Sequence, residues 1–330
     1  MPDHFFDSAH SEIANEPIDA VYLWVDGADH RFRQALRSVI PAAEADAQSN
    51  RFRDNGELKF SLRSLEQFAP WVRKVFLVTN GQVPGWLNRD HPRLTVVTHE
   101  ELFQRKSDLP VFNSNAIESR LHHIEGLSRR FLYLNDDLFF GGPSTPADYI
   151  RPDGRQLIYL QPTRLHDDAS SGPIHDRSYA YTQDIIEKAW GRRQPRFLPA
   201  HVAQLYDRNV LAALEAEIPE EFANTASHRF RSPDDLVLRV LYFSHLTETG
   251  GDLAEKVMLG EETDQYRFVR LGNRMRINFR ALRALRQAMP RFFCINDEVD
   301  RPFAASATAL CMRHRLRQMF PVPSKFEAVS

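Results

Sequence analysis

Along this chain, short unbroken apolar runs alternate with segments in which apolar residues recur every three or four positions. Ile18-Asp19-Ala20-Val21-Tyr22-Leu23-Trp24-Val25 is rich in β-branched and aromatic residues and ends on Asp26-Gly27, the pattern of a short buried strand. Val75-Phe76-Leu77-Val78, Leu94-Thr95-Val96-Val97-Thr98 and Phe131-Leu132-Tyr133-Leu134 repeat that pattern. Between them, a helical pattern runs from Asp29 to Ala47. A second covers Asn55 to Phe68 on Leu58, Leu62, Leu65 and Phe68, with Pro70 as its stop, and a third is marked by Ile117, Leu121, Ile124 and Leu127. Almost wholly apolar strands separated by helices predict an α/β fold, a mostly parallel sheet with helices on both faces.

The second half is less regular. Residues 151–200, rich in proline and polar residues, suit long loops over a scaffold. Ser232-Pro233-Asp234-Asp235 has the order of a helix start and predicts a helix through about Ser244, with Asp234 and Asp235 in its first turn. A basic helical segment spans Asn278 to Ala288, the run Phe292-Phe293-Cys294-Ile295 leads to Asn296-Asp297, and a last helix covers Ala304 to Met319. The polar residues before Ile18 predict a flexible N-terminus of residues 1–17. The remaining 18–330 are expected to form a single domain, with a ligand-binding core over 18–150 and a lid-like and helical part over 151–330.

Composition narrows the classes. A hydrophobic fraction of 42% over 330 residues is enough for a substantial core. With 42 basic against 44 acidic residues there is no field to gather nucleic acid, so selectivity rests on local clusters. Two cysteines without a Cys-x-x-Cys pair exclude a disulfide scaffold and a thiolate zinc centre and fit a reducing cytoplasm. No signal peptide or membrane span is legible, which leaves at most peripheral contact with a membrane through the arginine-rich C-terminal helices.

Three predicted strands end in polar groups: Asp26-Gly27, Thr79-Asn80, and Asn135-Asp136-Asp137. In open parallel sheets ligands bind beyond the carboxyl ends of the strands, so these groups are expected along one edge. Carboxylates leaving a buried strand need a compensating positive charge, and a hard cation bridging to phosphate oxygens supplies it. Each of the three is also an ordinary turn sequence, and only their convergence favours a site. His201 suits a general base but equally a satisfied core histidine. The His228-Arg229-Phe230-Arg231 cluster suits phosphate oxygens or a plain surface.

Four stretches, Ile18–Gly27, Phe112–Phe140, His201–Leu236 and Phe292–Asp297, resemble in order the four conserved regions of the Stealth family of hexose-1-phosphoryltransferases. Tyr133-Leu134-Asn135-Asp136-Asp137 is the most specific part of that likeness, and Leu23 stands where the family often has Thr. The resemblance implies a Rossmann-like, glycosyltransferase-A-like core, Mg²⁺ or Mn²⁺, a nucleotide-sugar donor and a glycan or polysaccharide acceptor. The implied activity is transfer of a hexose-1-phosphate, with UDP-GlcNAc as one such donor, in capsular or exopolysaccharide synthesis. It implies His201, Arg231 and Asp137 as catalytic residues, and Asp26, Gly27 and Asn135 on the donor, where Asn80 is expected from its strand end alone. Asp136, Asp137, Asn296 and Asp297 are implied at the metal. The rival expectation is a conventional metal-dependent glycosyltransferase, which releases the nucleoside diphosphate.

Overall fold

A computed structural model describes residues 16–41, 49–168, 170–191, 194–248 and 253–328. The expected flexible residues 1–15 and the part of the first predicted helix over 42–47 lie outside the described residues. Strands β1 (Ile18–Leu23), β2 (Val75–Thr79), β3 (Leu94–Thr98), β4 (Arg130–Asn135) and β8 (Gln204–Asp207) form one sheet in the order β3-β2-β1-β4-β8. The first four run parallel, and β8 closes the sheet antiparallel to β4. The order 3-2-1-4 reverses between β1 and β4, the crevice where Rossmann-like sheets receive ligands. Leu23 pairs with Val78 on one side and with Asn135 on the other, so the three carboxyl ends are level.

Residues alternate between two buried faces along these strands. Val21, Phe76, Phe131 and Tyr133 meet the helical layer of the second half, including α8 (Leu238–Glu248) through Leu241 and Tyr242. Ala20, Tyr22, Leu77 and Leu132 meet Leu58, Leu62 and Leu65 of helix α2 (Glu57–Phe68) on the opposite face. This is the mostly parallel, doubly covered sheet that the apolar runs predict. A second sheet, β10 (Tyr266–Leu271), β11 (Phe292–Asp297) and β5 (Leu138–Phe140), carries helices α9 (Met275–Ala288) and α10 (Pro302–Met319). A third sheet joins β7 (Phe197–Pro199), β6 (Gln156–Arg164) and β9 (Ala254–Met258). Since β5 follows β4 after two residues, Asp136-Asp137 is where the chain crosses from the first sheet to the second.

Three expectations are corrected. The periodic residues Ile117 to Leu127 do not form one helix: Ser114–Glu118 is helical, Leu121–His123 is a short 3-10 turn, and the chain then opens at Gly126. Tertiary contacts win there, because Arg120, His122 and His123 all turn to Glu215. Residues 151–200 are not mainly loop, since β6 and the 17-residue helix α5 (Ile174–Trp190) occupy most of them. Leu157-Ile158-Tyr159-Leu160 is a buried strand run, and Tyr179, Ala180, Ile185 and Ile186 are buried along the helix. Ser232–Asp235 is a turn before α8 rather than its first turn. The buried Asp235 carboxylate is drawn inward by the Nδ2 groups of Asn113 (2.9 Å) and Asn115 (3.2 Å) and by His228 Nδ1 (2.8 Å).

The amino end of β1 is fixed by one buried carboxylate. Asp19 accepts from Arg73 Nε (2.7 Å), Arg73 Nη2 (2.5 Å) and the Ser128 backbone N–H (2.7 Å), which ties β1 to the entries of β2 and β4. Removing it leaves the Ser128 N–H and the half-exposed Arg73 guanidinium without their shared carboxylate. Asp19→Ala is therefore expected to lower unfolding free energy by about 3 kcal/mol, read from urea denaturation followed by tryptophan fluorescence.

Candidate active site

The level strand ends open into a cavity of about 860 Å³. Trp24 and Val25 continue from β1, Val78 stands at the end of β2, and Asn135, Asp136 and Asp137 leave β4. The far wall comes from the second half: Gln161 and Arg164 of β6, His201 after β7, Arg239 of α8, Arg270 of β10 and Asn296 of β11. Of the residues singled out from sequence, Asn135, Asp136, Asp137, His201, Arg231 and Asn296 are brought together in this one space.

Asp26, Gly27, Asn80 and Asp297 are not among its lining residues. Asp26 Oδ1 accepts from the Ala28 N–H (2.8 Å), while Gln82 bonds both its backbone N–H and its carbonyl at 2.9 Å. Gly27 donates to the Phe52 carbonyl at 2.6 Å, and a Cβ there would meet that oxygen at 2.6 Å. Its glycine serves close backbone approach. Asn80 Oδ1 accepts from the Gln82 N–H at 3.4 Å, as in the turn its sequence suggests. Asp297 Oδ2 accepts from Arg53 Nη1 (2.7 Å) and Asn55 Nδ2 (3.0 Å), which latches the end of β11 to the loop before α2.

That loop carries the residues that sequence reasoning missed. Asp54, Glu57 and Asp136 turn ligand oxygens to within 4.8 Å of one another. Gly56 at φ 88° makes the bend that starts α2, and its N–H donates to Asp54 Oδ1 (2.9 Å). Asn55 holds Glu57 through its backbone N–H (2.7 Å) and Nδ2 (2.9 Å). In the sequence these residues pass for the polar start of the Leu58–Phe68 helix. The signal that could have found them is Asp54-Asn55-Gly56-Glu57, two acids around a glycine at a helix entry. Glu118 and Arg239, both lining the cavity, likewise sit inside helical segments where nothing in the pattern marks them.

Acidic and basic groups share the cavity. Burial pushes the Asp136 carboxyl well above its usual range, with Glu57, Asp137 and Asp54 adding repulsion. Burial likewise carries Glu57 up to about 7 against the bonds from Asn55, and Asp137 up to about 6. Asp137 Oδ2 accepts from Cys294 Sγ (3.3 Å), and its buried Oδ1 has no hydrogen-bond partner. Crowded carboxylates with an orphaned oxygen are a donor set short of positive charge, and an all-oxygen set fits a hard divalent cation.

The same cavity holds Arg231, whose Nη2 donates to Ser114 Oγ (3.0 Å), and Arg239, whose Nη2 donates to the Tyr179 hydroxyl (2.6 Å). Arg239 Nη1 lies 3.5 Å from His201 Nε2, and the His201 ring meets Phe268 edge-on with centroids 5.4 Å apart. Burial holds the His201 pKa well below the ordinary imidazole range, and Arg239, His175, Arg270 and Arg231 lower it further. The imidazole is neutral at physiological pH.

A carboxyl whose folded pKa is raised keeps a proton that the unfolded chain has already released. Its stabilising contribution is present below the unfolded value and is lost as pH rises through the folded one. For Glu57 that window runs from 4.5 to about 7. Cation-free Glu57→Gln should therefore gain stability relative to the parent as pH rises from about 5 to about 8, measured by urea titration at each pH.

The chain matches Stealth protein conserved region 1 over residues 16–42, region 2 over 51–158, region 3 over 200–248 and region 4 over 283–330. It is 39% identical to exopolysaccharide phosphotransferase SCO6023 of Streptomyces coelicolor, over 94% of this chain and 52% of that protein. It is 35% identical to exopolysaccharide phosphotransferase CpsY of Mycobacterium tuberculosis, over 95% of this chain and 58% of that one. The chain thus spans about half the length of the curated relatives it matches. Among solved structures, the galactosyltransferase LgtC aligns over 93% of this chain and 98% of its own, at 9% identity and a TM-score of 0.43. Four conserved regions, matched in order and meeting around one cavity, make this chain a member of the Stealth family.

Proposed function

We propose that this chain transfers a hexose-1-phosphate from a nucleoside-diphosphate-sugar to a hydroxyl of a glycan, releasing the nucleoside monophosphate. The observation that carries the reading is one cavity lined by Asp136, Asp137, Arg231, Arg239 and a buried neutral His201, with Asp54 and Glu57 clustered on Asp136. The names of the relatives supply the class of product, an exopolysaccharide, and UDP-GlcNAc is the first donor to try. Residues 18–330 act as one catalytic domain, in which 151–330 furnish the acceptor side.

Asp136 and Asp137, with Asp54 and Glu57, would hold a Mg²⁺ or Mn²⁺, and that ion would neutralise the donor's diphosphate. Asn135 and Asn296 line the same cavity. The remaining steps fall to the chain's own side chains. His201 takes the proton of the acceptor hydroxyl on its unprotonated ring nitrogen. The freed oxygen attacks the phosphorus nearest the sugar, and the bond from that phosphorus to the bridging oxygen breaks. The bridging oxygen leaves with the nucleoside monophosphate. Arg231 and Arg239 offer guanidinium donors to the non-bridging oxygens, where charge builds in the transition state. Asp26, Gly27, Asn80 and Asp297 act on the donor and metal indirectly, by shaping the loops around the strand ends.

Identification of the released nucleotide tests the chemistry. With UDP-GlcNAc and a glycan acceptor the expected product is UMP, and UDP would mean attack at the anomeric carbon by a conventional glycosyltransferase. His201→Ala is expected to lower kcat by about 10²- to 10⁴-fold while donor affinity, measured by calorimetry, stays within a few-fold. Arg231→Ala is expected to lower kcat by about 10²-fold or more, with the fold intact by circular dichroism.

A further inference from the structure

Helices α9 and α10 lie side by side on the β10-β11-β5 sheet, where Leu282 and Leu285 of one and Met312 and Leu316 of the other join one apolar cluster. Two helices seated on one sheet present their opposite sides as a common outer layer. On α9 that side carries the exposed Arg276, Arg280, Arg283 and Arg286, none of them in an ion pair among the described residues. Neither helix contains an aspartate or glutamate. On α10, Phe303, Leu310 and Arg317 recur every seven residues, close to two helical turns, and so share one outward stripe. Phe303 is 77% exposed and Leu310 is 64% exposed, while Ile277, 52% exposed, flanks the arginines of α9.

We infer that this outer layer docks on an anionic phospholipid surface. Unpaired arginines without a neighbouring acid complement the negative potential of such a surface, and each adds to binding within a Debye length of it. Charge alone would equally suit a soluble polyanion. The large apolar side chains standing out among the arginines decide between the two. A dissolved polyanion gives Phe303 and Leu310 nothing to enter, whereas the headgroup boundary of a bilayer accepts apolar side chains while flanking arginines reach the phosphates. Arg270 and Asn296, which line the cavity, belong to β10 and β11 of the sheet that carries this layer. Docking would therefore hold the cavity at a fixed attitude to the membrane.

Co-sedimentation of the purified chain with vesicles tests the inference, comparing pure phosphatidylcholine with phosphatidylcholine–phosphatidylglycerol mixtures. Binding is expected only to the mixture and is expected to fall as salt is raised. Arg276→Glu with Arg280→Glu and Arg283→Glu should weaken it by at least roughly fivefold per arginine. Phe303→Ser with Leu310→Ser should weaken it without changing its salt dependence. All five positions are exposed, so the variants should keep the parent's circular dichroism spectrum and thermal midpoint. Failure to bind the anionic mixture overturns the inference. So does unchanged binding in the Phe303→Ser, Leu310→Ser variant together with full competition by inorganic polyphosphate, which would assign the layer to a soluble polyanion.

Discussion

Carboxylates crowded beyond the end of a buried strand are the constraint around which this fold is arranged. Asp136 and Asp137 leave β4 where the chain changes sheets, and Asp54 and Glu57 reach the same point from the loop before α2. Burial raises the pKa of all four, and repulsion from neighbouring members of the cluster adds to it at Asp136 and Glu57. Like charges are held at such spacing only if the surrounding structure over-determines their positions. Much of the surrounding hydrogen bonding does that: Asn55 grips Glu57, Cys294 meets Asp137, and Asp297 fastens Arg53 and Asn55 to the end of β11. Arg231, Arg239 and Arg270 line the same cavity, and a neutral imidazole is the consequence of setting His201 among those guanidiniums in a buried position.

The first sheet was legible because its strands are buried on both faces. Runs such as Ala20-Val21-Tyr22-Leu23 leave little other use for so many apolar residues in a row, and their polar ends mark the ligand edge. Order within the sheet was not legible, since antiparallel β8 comes from far down the chain. The second half was harder for a physical reason. Its elements are held by specific polar contacts rather than by periodicity, as where Asp235 forsakes a helix start for Asn113, Asn115 and His228.

Site residues followed the same division. Asn135, Asp136 and Asp137 announce themselves because acids seldom follow a strand so apolar, whereas Glu57 and Arg239 sit in helices where charged residues are unremarkable. His201 and Arg231 had no decisive local signal, and the family likeness singled them out. The cavity then brings both beside Arg239. Asp26, Gly27, Asn80 and Asp297 are legible as polar strand-end residues, but their bonds go to the backbone and to neighbouring loops.

The closing strand of the first sheet also bears on how the chain can be divided. β4 gains its outer neighbour only when β8 arrives, some seventy residues later, with Leu132 opposite Leu205 and Phe131 opposite Tyr206. A segment ending at residue 150 would leave β4 as an uncovered edge, flanked by the apolar residues now packed beneath the second half. Such an edge is a template for pairing with other copies. Residues 18–150 and the part of the chain after them therefore share an assembly unit, and the folding of one shields the other from aggregation.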